Sequence, residues 1–317
     1  MNQDPSSQRR VDLKVGFSCN NSCRFCVQGH KRGRFPDKST AELKAALEEA
    51  RGGADGVVFT GGEVTLRRDL FELLAHARAL GFSRIQLQSN CRVLAYPEFC
   101  RRAVEAGANE FSPALHGHVP ALHDYLTRAP GSFVQTVQAI RNLRALGQRV
   151  ISNSVICRPN YRHLEQLAAL LLSLGVQQYQ FAFIHAIGTA AENLEAMMPR
   201  VSLVAPHLRR ALTLGGASGV RAYCEAVPYC HLQGVEWAAS ERIIPQTRIV
   251  DADFVLEDYT RFRLEEGKAK GPDCARCTWT GVCEGPWREY PQRYGWQEFE
   301  PRTDAISAEL FPGGGDP

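Results

Sequence analysis

Three cysteines stand close together near the start of the chain, in Cys19-Asn20-Asn21-Ser22-Cys23-Arg24-Phe25-Cys26, a C-x3-C-x2-C spacing with an aromatic just before the last. Three thiolates so spaced can grip three corners of an iron–sulfur cube, and such sites are normally closed by a fourth Cys. None follows nearby. A cube held by three protein sulfurs keeps one iron open for another ligand, as an open position does in a catalytic metal site. The competing chemistry is a structural zinc knuckle, which wants four ligands, commonly in C-x2–4-C pairs.

Other stretches carry polar groups where an apolar run ends. Gly61-Gly62-Glu63-Val64-Thr65 combines two residues that allow close backbone approach with an acceptor suited to an ammonium; alone, it is an ordinary turn. Ser89-Asn90-Cys91 offers a hydroxyl and an amide, and Ser152-Asn153-Ser154 interrupts an apolar run. The competing role for Asn153 is satisfying neighbouring backbone. His116, His118 and His123 raise a zinc reading, weighed against loop histidines as donors or acid–base groups. A second cysteine set, Cys274-x2-Cys277-x5-Cys283, precedes Glu284-Gly285-Pro286-Trp287.

The first motif resembles that of the radical S-adenosylmethionine (SAM) superfamily. The resemblance implies that Cys19, Cys23 and Cys26 hold a 4Fe–4S cluster whose free iron is chelated by SAM, and that one electron splits SAM into methionine and a 5′-deoxyadenosyl radical. Gly61, Gly62 and Glu63 look like the family's GGEP motif, which holds the SAM amino group, with Val64 in the expected Pro place. Ser89 and Asn90 match a segment near the SAM ribose and carboxylate, with Cys91 at the usual Gly. His116 and Asn153 are candidate cofactor contacts at the next strand ends, and Gly188 is expected to let the adenine approach backbone.

The second cysteine set resembles the closing part of SPASM and twitch extensions, which ligate auxiliary clusters, but Trp287 stands where their fourth Cys would be. One auxiliary 4Fe–4S cluster is expected, on Cys274, Cys277, Cys283 and a fourth thiolate from Cys230 in preference to Cys224; a zinc ribbon is the alternative. Cys91 and Cys224 are the candidates to quench a substrate radical as thiol donors, against oxidation through the auxiliary cluster. The resemblance implies a radical SAM enzyme of the twitch/SPASM-like group, acting on a small molecule or a peptide with a flavodoxin- or ferredoxin-type reductant. A non-catalytic iron–sulfur carrier is the rival; it needs clusters but no SAM pocket.

The elements that would position these residues alternate. Strands are predicted at Val11–Phe17, Asp55–Thr60, Arg84–Gln88, Glu110–Leu115, Val150–Ile156 and Gln177–Ile184. Helices are predicted at Thr40–Arg51, capped by Ser39 or Thr40, and at Asp69–Leu80, Pro97–Ala106, Phe133–Ala145 and Tyr161–Leu174. Such alternation implies βαβ units and a parallel sheet. The fold expected is α/β, a partial (β/α)6 TIM-like barrel over residues 1–190 with a small cysteine-rich C-terminal extension over 191–317. A flat doubly wound sheet would give a similar string.

The 317 residues are 44% hydrophobic and 22% charged, as in a soluble globular chain, and the net charge of +3 argues for neither a nucleic-acid nor a membrane partner. The polar start has no signal-peptide run, so a cytoplasmic location is expected. In that compartment eleven cysteines read as metal ligands or catalysts rather than disulfides.

Overall fold

The computed structural model describes residues 9–306 and Leu310. The polar start, Met1 to Gln8, lies outside the described residues. Strand and helix alternate as β1 (Arg9–Lys14), α1 (Thr40–Arg51), β2 (Gly56–Thr60), α2 (Leu70–Ala79), β3 (Arg84–Ser89), α3 (Pro97–Ala106) and β4 (Glu110–Pro113). Next come α4 (Pro120–Thr127), α5 (Ser132–Ala145), β5 (Arg149–Ile156), α6 (Leu164–Ser173) and β6 (Gln178–Phe183). Helix α1 opens on Ser39, whose side chain accepts from the Glu42 N–H while the Glu42 carboxylate accepts from the Ser39 N–H, a reciprocal capping box.

Strands β1 to β7 lie in strictly sequential order and pair in parallel, β7 being Arg221–Glu225. A doubly wound sheet reverses its strand order at a switch point. Sequential order with right-handed crossovers instead keeps the helices on one side and curls the sheet into an open barrel. On one side of the sheet, Val11, Leu13, Phe59, Ile85 and Leu87 pack with Leu43, Leu47, Leu70, Leu73 and Leu74 of the helices. Burying each such side chain contributes about 1.5–3 kcal/mol. The alternate residues Arg10, Asp12 and Lys14 therefore face the inside of the curve.

Beyond β6 the alternation does not stop. Two short helices, α7 (Thr189–Glu192) and α8 (Leu194–Met197), lead into α9 (Val201–Ala217), which packs on α6 and returns the chain to β7. A Cβ at Gly215 would lie 2.3 Å from the Tyr179 hydroxyl and 2.6 Å from the Ala222 Cβ, so only glycine lets α9 sit this close to β6 and β7. Then β8 (Gln246–Val250) adds to the free edge of β1 in parallel, and β9 (Val255–Leu256) pairs with β8 antiparallel. Residue 190 thus lies within the sheet-forming part of the chain. After β9, α10 (Tyr259–Phe262) and a π-turn (Arg263–Gly267) lead into the cysteine-rich segment. No helix among the described residues is long and apolar enough to cross a membrane.

Candidate functional site

The cysteine loop leaves the C-terminal end of β1, and the next two strand ends are bonded to it as one unit. The Gly62 and Glu63 N–H groups donate to the carbonyls of Gly16 and Ser18, each at 2.8 Å. Glu63 Oε1 accepts from Thr65 N (3.1 Å), Thr65 Oγ1 (2.6 Å) and Ser89 Oγ (2.6 Å), and Oε2 accepts from Asn90 N (2.7 Å). The Asn90 amide then donates to Asn20 Oδ1 at 2.6 Å and to Cys19 Sγ at 3.8 Å. An unbroken chain of bonds thus runs from β2 through β3 to the first cysteine.

Three of the expected cofactor contacts also have partners within the protein. Three of the four protein donors share Glu63 Oε1 and one meets Oε2, so a lone-pair site on Oε2 stays open to a further donor. Burial raises the Glu63 pKa while these donors pull it back. The glycines are required by the loop itself: a Cβ on Gly62 would lie 2.2 Å from the Ser18 carbonyl, and one on Gly61, at φ 122°, 2.3 Å from that of Gly16. Gly188, at φ 58°, likewise meets the Cys26 carbonyl at 2.8 Å and that of Val27 at 2.7 Å. What approaches these glycines is the backbone of the cysteine loop.

Burial pushes the Cys19, Cys23 and Cys26 thiols up, and the Arg32 guanidinium pulls each part of the way back. Arg32 also donates to the Asn21 carbonyl and the Ser22 hydroxyl, and Arg92 to the Asn20 carbonyl and Asn21 Oδ1. Both arginines escaped the sequence reading. The signal for Arg32 was its place in the basic run His30-Lys31-Arg32-Gly33-Arg34.

His116 and His123 hold backbone. His116 Nδ1 accepts from the Val155 N–H and His123 Nδ1 from the His116 N–H, both at 3.1 Å. His118 lies elsewhere, against His163. Among the described residues no group of three or more His, Cys, Asp or Glu is placed to hold a single metal ion. Burial pushes His116 well below the usual range, and His123 and His231 down to about 4. An unfolded His titrates near 6.5. As pH falls below that value the unfolded chain gains protons that the folded chain refuses, so stability falls. At pH 5 each such histidine costs about 2 kcal/mol. His123→Asn, which keeps an acceptor near Nδ1, is expected to shrink the loss between pH 7 and pH 5 by about that amount in denaturant unfolding. An unchanged pH dependence would exclude His123.

Cys91 and Cys224 are both fully buried. Cys91 has φ 63° and its N–H donates to Ser89 Oγ; Cys224 sits inside β7 on the side packed against the helices. Burial raises both thiols well above the usual range. Cys230, by contrast, lines a pocket with Cys274, Cys277 and Cys283. The pocket's walls include Pro228, Trp279, Trp296 and Phe299. Arg302 N donates to Cys277 Sγ at 3.3 Å. Trp287 lies against His185, their rings stacked 4.0 Å apart, and over the buried Lys268 ammonium, which bridges Glu241 and Glu284.

The residues fit a thiolate-bound cluster with a polar cofactor beside it. Three thiols share one loop, and Asn153 Oδ1, Gln28 Oε1 and His30 Nδ1 are buried without a partner among the described residues. Similarity to known proteins agrees. The chain is 28% identical over 186 residues to the AdoMet-dependent heme synthase of Oleidesulfovibrio alaskensis, covering 58% of this chain and 47% of that protein. It is 29% identical over 196 residues to the PqqA peptide cyclase of Rhodopseudomonas palustris, covering 61% and 52%. The chain thus spans about half the length of these curated relatives. The crystal structure of Streptococcus suis SuiB bound to S-adenosylmethionine has the same fold, with a TM-score of 0.66 at 13% identity over 94% of this chain and 77% of that one. Native anSMEcpe with bound AdoMet and Cp18Cys peptide gives 0.66 at 14%, over 92% and 94%. The Radical SAM superfamily model matches residues 13–171, half of the chain, and the protein belongs to that superfamily.

Proposed function

We propose that this chain binds a 4Fe–4S cluster through Cys19, Cys23 and Cys26, binds SAM beside it, and removes hydrogen from a peptide or small-molecule substrate inside the barrel. The observation that carries this reading is the bonded unit joining the ends of β1, β2 and β3, which fixes the cysteine loop at the mouth of the lumen. The cluster and SAM, when bound, would supply a carbon-centred radical able to break an unreactive C–H bond. The chain's own residues hold the loop and exclude water. Glu63 keeps Asn90 turned toward Asn20 and Cys19, and Asn153 offers its unpartnered oxygen to the cofactor or substrate.

The lumen wall favours a polar substrate group. Asp12 and Lys14 on β1, and Gln180 hydrogen-bonded to Glu225 across β6 and β7, lie deep in the molecule yet keep part of their surface on the lumen. A peptide side chain suits such walls better than a macrocycle of apolar surface. A relative named as a peptide cyclase supports the same choice.

An auxiliary cluster on Cys230, Cys274, Cys277 and Cys283 would supply a one-electron acceptor, which favours net oxidation over hydrogen donation by the buried Cys91 or Cys224. Anaerobic reconstitution, reduction with dithionite and addition of SAM should yield methionine and 5′-deoxyadenosine, with about eight irons per chain. Cys230→Ser is expected to lower the iron toward four, and Cys224→Ser to leave it unchanged. No nucleoside product above the cluster-free background would leave the carrier reading standing, and equal iron in the Cys230 variant would remove that ligand.

A further inference from the structure

The loop that carries Cys19, Cys23 and Cys26 is thin on one side. Ser22 N and Arg24 N donate to the carbonyls of Thr127 and Leu126 at 2.9 and 3.0 Å, so residues 22–24 run along the end of α4. Cys23 lies between these two anchored residues, with Cys157 as an inward electrostatic neighbour. Ser22 is exposed on the other side. Exposed Ser22 thus brings solvent to within one residue of Cys23 along the chain.

That outer face is basic. Arg24 lies over the exposed Tyr125 ring at 4.3 Å, Arg32 donates to Ser22 Oγ, and Arg128 follows Thr127 directly. Arg34 extends the same turn as Arg32. Arg32, Arg34 and Arg128 are exposed, and Arg34 and Arg128 have no side-chain partner among the described residues. Two nearby carboxylates are turned to backbone: Asp37 accepts from the Phe17 N–H, and Asp124 from the N–H groups of Gly131 and Phe133. The guanidinium charge is left facing solvent. With a net charge of only +3 over the whole chain, such a concentration is local.

Radical SAM chemistry needs one electron from outside, and a donor must come close to the cluster without entering the lumen, which substrate occupies. We propose that Arg24, Arg32, Arg34 and Arg128 form the docking surface for an acidic one-electron carrier protein, which gives up a single electron through the Ser22–Arg24 face and is itself oxidised by one electron. This assignment rests on the function proposed above. Complementary charge raises association rates by about 10- to 1000-fold at low salt, and the gain fades as salt screens it.

The test uses the reconstituted full chain and its Arg34→Glu/Arg128→Glu variant, with a purified acidic flavodoxin as probe. Flavodoxin affinity, measured directly by titration, should fall about tenfold or more in the variant at low salt and converge with wild type at high salt. Cluster reduction by flavodoxin hydroquinone, followed by absorbance, should slow in parallel. SAM cleavage driven by dithionite, which needs no docking, should be unchanged. Equal flavodoxin affinity in the two proteins overturns the docking surface. So does a parallel loss of dithionite-driven cleavage, which would make the arginines structural. No cleavage by wild type under dithionite would instead overturn the proposed function.

Discussion

Replacing Cys19, Cys23 and Cys26 together by alanine should remove about four irons per chain, abolish SAM cleavage, and leave the barrel folded. The loop does not owe its shape to the thiols. Ser22 and Arg24 are tied to the end of α4, Arg92 and Arg32 hold the carbonyls of Asn20 and Asn21, and Asn193 donates to the Arg24 carbonyl. Phe25, the loop's aromatic, stays buried against His116 at 4.6 Å between ring centroids. The three thiols are only partly buried, so their removal opens little cavity and should cost no more than about 1–2 kcal/mol. Iron analysis, the SAM cleavage assay and a thermal melt read the three consequences separately. Iron equal to wild type would place the cluster elsewhere. A collapsed melt would show that the loop needs its thiols to fold.

The regular half of the molecule was legible because strand and helix announce themselves locally. Buried β-branched runs alternate with helical patterns, and β1 to β6 fall within a few residues of their expected places. Helix α4 was missed. It is eight residues long and ends at Arg128, a non-glycine residue at φ 53°. Its one start signal was Pro120 at the first helical turn. Helix α9 was hidden by Pro206 in its interior and by the Gly215-Gly216 pair, both of which read as breakers until packing against β6 and β7 overrides them. The seating of β8 on β1 joins residues far apart in sequence, and no local pattern encodes such a choice.

At the site, residue types were legible and partners were not. A cysteine spacing implies a cluster because ligands come from one loop. The bonds of Glu63, by contrast, come partly from β3, some 26 residues on, and depend on register. In the second cysteine set the two spacings are local, and Cys230, the fourth thiol preferred from the sequence, lines the same pocket from the turn after β7.

Glu63→Gln should weaken SAM binding about tenfold to a hundredfold and lower thermal stability at the same time. The amide keeps one acceptor oxygen but turns an NH2 toward donors, either the Asn90 N–H or the Thr65 and Ser89 groups. Losing a charge-assisted bond costs about 1.5–3 kcal/mol, and about 1.4 kcal/mol is a decade of affinity. If the carboxylate acts through Asn90, then Asn90→Ala should carry most of the same loss of SAM affinity. The double variant should then lose little more than the worse single one, a coupling that independent sites do not show. Ser89→Ala removes one of four donors to Glu63 and also the acceptor of the buried Cys91 N–H, so it should lower the melt while costing less SAM affinity than Glu63→Gln. A carboxylate that also met the SAM ammonium directly would lower the melt equally but behave differently in binding: its loss would add in full to the loss from Asn90→Ala. That outcome would return Glu63 to the role of a direct ligand. An unaltered dissociation constant would remove it from SAM binding altogether.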